Sequence, residues 1–114
     1  KNGENELSTV WKEAVIEKET ATLINEALIQ VVHHPDGTGS DAKISGKRLA
    51  GKTGTSELKQ SQEEEGQENG FFVAYDSDEP DLLIAMLVEN VEGRGGSKLV
   101  VSKVGEMFNQ LRSD

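Results

Sequence analysis

The chain has 114 residues, a formal net charge of −9 and no cysteine. A chain of this length forms one domain or part of one. The negative charge argues against a nucleic-acid partner and against anionic membrane surfaces, since both need clustered lysine and arginine. Without cysteine there is neither a disulfide framework nor thiolate chemistry. The sequence also carries no recognisable targeting signal, and because it opens on Lys1 rather than methionine we expect a fragment of a longer protein.

The first half of the chain is predicted to contain one helix. Residues 20–32 place apolar side chains at helical spacing along one face: Leu23, Ile24, Ala27, Leu28, Val31 and Val32. Pro35 and the Asp36-Gly37 pair should end the helix, and Gly37 to Ser40 continues as a loop. His33 and His34 are adjacent and point apart, so we expect an exposed helix end and no metal site.

The second half is predicted to contain three strands and a helix. The strands are expected at residues 48–55, 70–75 and 82–88, with a long polar loop over residues 57–69. The unbroken apolar run of the third predicts a central strand covered on both faces. Ser97 is expected to cap a final helix whose apolar face carries Leu99, Val100, Val104, Met107, Phe108 and Leu111. The fold class is therefore α+β, an antiparallel sheet flanked by helices in an α/β sandwich.

The segment Leu49 to Ser56 carries the clearest functional signal. Lys52-Thr53-Gly54-Thr55 places a cation, two hydroxyls and a position without a side chain in one extended stretch. This set suits an anionic ligand that bears an amide. The simplest structural explanation of Lys52, a surface lysine that protects an edge strand from aggregation, is less favoured because Thr-Gly-Thr follows it.

The Lys-Thr-Gly-Thr segment, the strand 70–75 after it and the apolar strand 82–88 together resemble the C-terminal part of a penicillin-binding protein transpeptidase domain. Trp11-Lys12, the helix and the Gly37-Thr38-Gly39 loop extend the resemblance upstream, particularly to the class B, low-affinity enzymes of Gram-positive bacteria. The resemblance thus covers nearly all of residues 1–114 and implies a β-lactamase/transpeptidase-like fold, of which this chain supplies only the C-terminal portion.

The resemblance also implies roles for the motif residues. Lys52 would order a neighbouring serine motif and make the site more positive, and the hydroxyls of Thr53 and Thr55 would hold the substrate carboxylate. The backbone N–H of Thr55 would contribute to an oxyanion hole. Gly54 would leave room for a ligand along the strand edge. The parent would cross-link peptidoglycan through D-alanyl-D-alanine stem peptides, bind β-lactams, need no cofactor and act at the extracellular face of the cell membrane.

Two further motifs of such enzymes are missing or misplaced. Ser40-Asp41-Ala42-Lys43 matches the S-x-x-K pattern, but it lies in a loop a dozen residues before the motif, whereas the nucleophile of the family heads a helix far upstream. No S-x-N triplet occurs. We therefore expect no catalytic residue in this chain and no activity from it alone.

An alternative is a nucleotide-binding module, because Gly46 to Thr53 also fits the P-loop pattern G-x-x-x-x-G-K-[ST]. A P-loop follows a buried strand and opens a helix, whereas here a polar loop precedes the pattern and no helical apolar face follows it.

A third interpretation concerns the association of this chain with another chain. If the N-terminal part of the domain is missing, strand 82–88 has an open edge, through which the chain would associate with itself or with that part.

Overall fold

The computed structural model describes residues 9–59 and 66–112. Its elements are α1 (Lys18–His33), a 3-10 turn (Ser40–Ala42), β1 (Leu49–Leu58), β2 (Gln67–Asp76), β3 (Leu83–Val88) and α2 (Ser97–Leu111). The strands form one antiparallel sheet in the order β1-β2-β3. The predicted α+β class, with an antiparallel sheet and flanking helices, is confirmed. Within the described ranges no helix is long and apolar enough to cross a bilayer.

The register of the strands decides which side chains meet the core. Thr53 pairs with Phe72, which pairs with Met86, so these three share one face of the sheet. The start of α2 packs closely on that face, since a Cβ added at Gly70 would lie 2.8 Å from a methyl group of Val100. The largest fully buried side chains come from both layers: Val32, Leu49, Phe72, Val91, Val100, Val101, Val104 and Phe108.

A hydrogen-bond network ties α1 to the end of β2. The Tyr75 hydroxyl donates to Oδ1 of Asn25 at 2.7 Å, and Nδ2 of Asn25 donates to the Ser77 hydroxyl at 2.9 Å. All three side chains are partly buried. The network therefore fixes α1 beside the end of β2, the strand that pairs with β1.

Strands β1 and β2 extend into the segment that the sequence predicts to be a loop. Ten consecutive pairs run from Leu49–Asp76 to Leu58–Gln67. The prediction of a loop over 57–69 is thus wrong at both ends, because backbone pairing with a neighbouring strand requires no apolar side chains. The acidic run Glu63 to Glu65 lies outside the described residues.

In the described sheet, β3 is an edge strand rather than the central strand that its composition predicts. Among the described residues it pairs with β2 alone. Ile84 is buried, but Leu83 and Leu87 are 60% and 59% exposed. The apolar run therefore leaves one face that the described part of the chain does not cover.

Both helices form close to their predicted bounds, but their buried faces differ from the prediction. Helix α1 buries Ile29 and Val32, whereas Leu23 is 67% exposed and Ile24 47%. In α2 the outer positions Met107 and Leu111 are exposed as well. Helical periodicity identifies an apolar stripe, and the packing partner decides how much of that stripe is buried.

The start of α2 differs from the predicted cap. Gly96 occupies the N-cap position with φ of +62°, and no side chain caps the helix. Ser97 is already the first helical residue, so the predicted Ser97 cap is wrong. Glycine adopts positive φ without steric cost, which lets the chain turn sharply from the loop into the helix.

The end of α1 is only partly exposed. His34 is exposed, and its Nδ1 accepts a hydrogen bond from the Asp36 backbone N–H at 3.1 Å. His33 is half-buried with an enclosed Nε2, so the prediction of an exposed end is wrong for this residue. Over residues 9–59 and 66–112 the structure groups no three His, Cys, Asp or Glu side chains that could hold a metal ion.

Candidate substrate-binding strand

The backbone of β1 presents an outer edge, away from β2. The Ser77 N–H donates to the Arg48 carbonyl at 2.9 Å, so these two residues form a hydrogen-bonded pair in line with the ladder. Hydrogen-bonded and non-bonded pairs alternate in an antiparallel ladder. The pairs Thr53–Phe72 and Thr55–Gly70 are then of the non-bonded kind, and the N–H and C=O groups of Thr53 and Thr55 point to the outer edge.

Lys52 lies on this edge as an exposed cation. Its Nζ donates to the Thr53 carbonyl oxygen at 2.7 Å, which agrees with an outward-pointing carbonyl at Thr53. The contact folds the lysine side chain along the edge of its own strand. A positive charge is thereby held next to Thr53.

Thr53 and Thr55 differ in how their side chains are held. The Thr53 hydroxyl lies 2.7 Å from the Thr38 hydroxyl, and Thr53 is half-buried. Thr55 is exposed and pairs across the sheet with Gly70. The structure therefore brings a cation, two hydroxyls and two outward N–H groups together along four residues.

The two glycines of the segment meet different neighbours. A Cβ added at Gly54 would lie 3.3 Å from the Phe71 ring, the cross-strand partner of Gly54. A Cβ at Gly51 would lie 2.8 Å both from the buried Phe72 ring and from the Val73 carbonyl oxygen. Gly51 is thus required by close packing. The proposed role of Gly54, to leave room for a ligand, stays a prediction.

The P-loop alternative does not fit this geometry. Lys52 to Leu58 continues as a strand, where a P-loop would open a helix on its lysine and threonine. The sheet is antiparallel, whereas the P-loop fold is built on parallel strands. The phosphate-binding interpretation of Gly46 to Thr53 is therefore wrong.

The S-x-x-K match lies in the 3-10 turn Ser40–Ala42, with Asp41 and Lys43 exposed. A turn of three residues lacks the long helix that the nucleophile of the family heads. The match therefore has the sequence pattern but not its structural context.

The sequence matches the family described as penicillin binding protein transpeptidase domain over residues 4–110. The chain belongs to this family.

Among curated proteins, the chain is 42% identical over 106 residues to penicillin-binding protein 3 of Bacillus subtilis (strain 168). This match covers 92% of this chain and 16% of that protein. It is 35% identical over 88 residues to stage V sporulation protein D of the same organism, covering 75% of this chain and 13% of that protein. The chain thus spans less than a fifth of the length of either relative.

Two solved transpeptidase structures are similar in fold. The transpeptidase domain of penicillin-binding protein 3 from Burkholderia pseudomallei matches with a TM-score of 0.63 and 25% identity, over 83% of this chain and 31% of that one. The D,D-transpeptidase domain of a peptidoglycan glycosyltransferase from Eggerthella lenta matches with a TM-score of 0.59 and 28% identity, over 86% of this chain and 22% of that one.

One residue beside the site was missed by sequence reasoning. Thr38 contacts Thr53 although 15 positions separate them. The available signal was a threonine between two glycines, Gly37 and Gly39, which is typical of a loop that approaches another backbone closely. The sequence alone does not say which strand such a loop approaches.

Proposed function

We propose that this chain is the part of a D,D-transpeptidase that forms one wall of the active site. Membership of the transpeptidase family supports a role in peptidoglycan cross-linking. The observation that carries the proposal is the outer edge of β1, where Lys52, Thr53 and Thr55 offer a cation, hydroxyls and outward N–H groups. The ligand is the D-alanyl-D-alanine end of a stem peptide, or a β-lactam in its place.

The outer edge of β1 carries hydrogen-bond donors for one wall of an acyl-transfer site. The C-terminal carboxylate of the peptide accepts hydrogen bonds from the Thr53 and Thr55 hydroxyls, and the Lys52 charge strengthens its binding. The N–H of Thr55 points outward and donates to the oxyanion that forms when serine attacks the carbonyl. One such pre-aimed donor contributes about 3 to 4 kcal/mol to the transition state. The serine nucleophile and its base come from outside this chain.

The same proposal states where the parent protein acts and where the remainder of its domain joins this chain. The parent acts on the outer face of the cell membrane, where peptidoglycan is assembled. The remainder of the domain pairs with the exposed edge of β3, in line with the share of 31% or less that the chain has in the solved transpeptidases. Leu83 and Leu87, which are exposed on one face of the described sheet, would be covered where the same remainder packs on that face.

The direct test is acylation of the intact protein by a labelled penicillin. Lys52→Ala is expected to lower the second-order acylation rate constant by roughly a hundredfold or more, because charge stabilisation at the reacting centre is lost. Lys103→Ala is the matched control, since it removes an exposed lysine from the solvent-facing side of α2, where Lys103 pairs with Glu106. Equal rates for the wild type and Lys52→Ala would contradict the proposed site.

The isolated chain of 114 residues gives a second readout. It is expected to form no covalent adduct with the labelled penicillin, since the nucleophile lies elsewhere. Mass spectrometry of the tryptic peptides checks this. A label on Ser40 would show that the nucleophile is in this chain after all.

A further inference from the structure

The loop between α1 and the 3-10 turn brings a third hydroxyl to the candidate site. Thr38 is the middle residue of Gly37-Thr38-Gly39, and its Oγ1 lies 2.7 Å from Oγ1 of Thr53. At that distance one hydroxyl donates to the other. The contact joins a loop residue to the strand residue for which carboxylate binding is proposed.

The loop that carries Thr38 is fixed on both sides. The Gly37 N–H donates to the His34 carbonyl and the Gly39 N–H to the Val31 carbonyl, both at 2.9 Å. A Cβ at Gly37 would lie 2.2 Å from the Val31 carbonyl oxygen. These bonds and the close approach hold the loop against the last turn of α1.

Gly39 fixes the other side of the loop against the core. It is buried, and a Cβ there would lie 3.2 Å from both the Phe72 ring and a methyl group of Val31. Phe72 is the cross-strand partner of Thr53. The ring that positions the loop thus belongs to the strand pair that positions Thr53, so the distance between the two hydroxyls is set by packed elements.

Hydroxyl chemistry gives the contact a direction once an anion is bound. A threonine hydroxyl has one proton and two lone pairs. If Thr53 donates its proton to a carboxylate, its lone pairs are free to accept, and Thr38 is then the donor to Thr53. A chain of this kind, from Thr38 to Thr53 to the anion, is polarised so that each hydrogen bond strengthens the next.

We propose that Thr38 is a positioning residue that orients the Thr53 hydroxyl toward the substrate carboxylate. Thr38 acts through Thr53 and is not a catalytic residue. The inference rests on the proposed function, because it assumes that Thr53 binds the carboxylate. It adds a residue outside the Lys-Thr-Gly-Thr segment to the determinants of substrate binding.

The test uses the intact protein, labelled penicillin acylation and three variants at Thr38. Thr38→Val keeps the shape but removes the donor, and it is expected to lower the second-order acylation rate constant roughly tenfold. Thr38→Ala is expected to lose as much, whereas Thr38→Ser keeps the hydroxyl and should stay within about twofold of the wild type. The loss should fall mainly in the half-saturating concentration, because the carboxylate is charged before and during acylation.

Two further readouts separate positioning from a direct ligand contact or a structural effect. In a Thr53→Val background, Thr38→Val should cause no additional loss, because the partner is already absent. With a penicillin methyl ester as the probe, which lacks the carboxylate charge, the Thr38→Val effect should shrink toward onefold. The melting temperature should not change appreciably, since Thr38 is exposed.

The outcomes distinguish this inference from the proposed function. If Lys52→Ala loses acylation while Thr38→Val and Thr38→Ala retain the wild-type rate, the role of Thr38 is wrong and the proposed function stands. Additive losses for Thr38→Val and Thr53→Val, or an equal loss with the ester, overturn the positioning role as well. A wild type that penicillin does not acylate overturns the proposed function and this inference together.

Discussion

At the scale of single residues, Gly51 is the less able of the two glycines of β1 to accept a side chain. A Cβ there would lie 2.8 Å from the Phe72 ring, which is fully buried, and from the Val73 carbonyl oxygen. We expect Gly51→Ala to lower the free energy of unfolding of the domain by about 1 to 3 kcal/mol, as overpacking typically does. Urea denaturation measures the change.

Gly54→Ala is the matched control on the same strand. Its Cβ would lie 3.3 Å from the Phe71 ring, which is 37% exposed and can shift. Alanine also restricts the unfolded chain more than glycine does, so the two effects oppose each other. A loss of stability for Gly54→Ala as large as for Gly51→Ala would contradict this assignment of the packing constraint.

Residues of the candidate site differ in how far the sequence could predict them. Lys52, Thr53 and Thr55 are close in the chain, and the ladder of β1 turns the backbone N–H groups of both threonines to the outer edge, where Lys52 contacts the Thr53 carbonyl. Thr38 reaches Thr53 only through the packing of Gly39 and the end of α1. Local spacing therefore predicts the strand residues, whereas tertiary packing decides the loop residue.

At the scale of elements, an ion pair joins the end of α2 to the β2–β3 turn. Arg112 follows the last residue of α2 and contacts the carboxylates of Glu79 and Asp81. The Arg112 hydrogen bond holds the pKa of Asp81 below its ordinary value of 3.8. A depressed pKa means that the pair stabilises the folded state fully above pH 3.8, and that this contribution is lost as the pH falls through the folded-state pKa.

Asp81→Asn is accordingly expected to lower the melting temperature slightly at pH 7, because exposed ion pairs are worth little. The difference from the wild type should disappear once the pH falls below the folded-state pKa of Asp81, which lies below 3.8. Asp41→Asn, which removes an exposed carboxylate from the 3-10 turn, controls for the change in net charge. A difference for Asp81→Asn that persists at low pH would show that its origin is not the ion pair.

Element type was more predictable than element length or burial. Aromatic and β-branched residues around Phe72 and the apolar run of β3 predict strands from local preference alone. The extension of β1 through Glu57 and Leu58 depends on pairing with β2, which polar side chains do not reveal. The exposure of Leu83 likewise depends on the neighbour of β3, and only the assembled sheet shows on which side that neighbour lies.

At the scale of the whole molecule, the uncovered side of β3 predicts how the isolated chain behaves. Leu87 is 59% exposed and Phe71, its partner on β2, 37%, so an apolar face adjoins an unpaired edge within the described sheet. Such an edge is a template for pairing with another chain. In the intact protein, we propose, the remainder of the domain occupies it.

The isolated chain is therefore expected to self-associate, with a mass by light scattering that rises with concentration above the 12.4 kDa of one chain. Leu87→Lys places a charge on the uncovered face of β3 and should shift the chain toward the monomer. Leu58→Lys is the matched control, since Leu58 is 61% exposed at the far end of β1. A monomer at all concentrations, with β3 amides protected from hydrogen exchange, would show that the edge is satisfied within the chain itself.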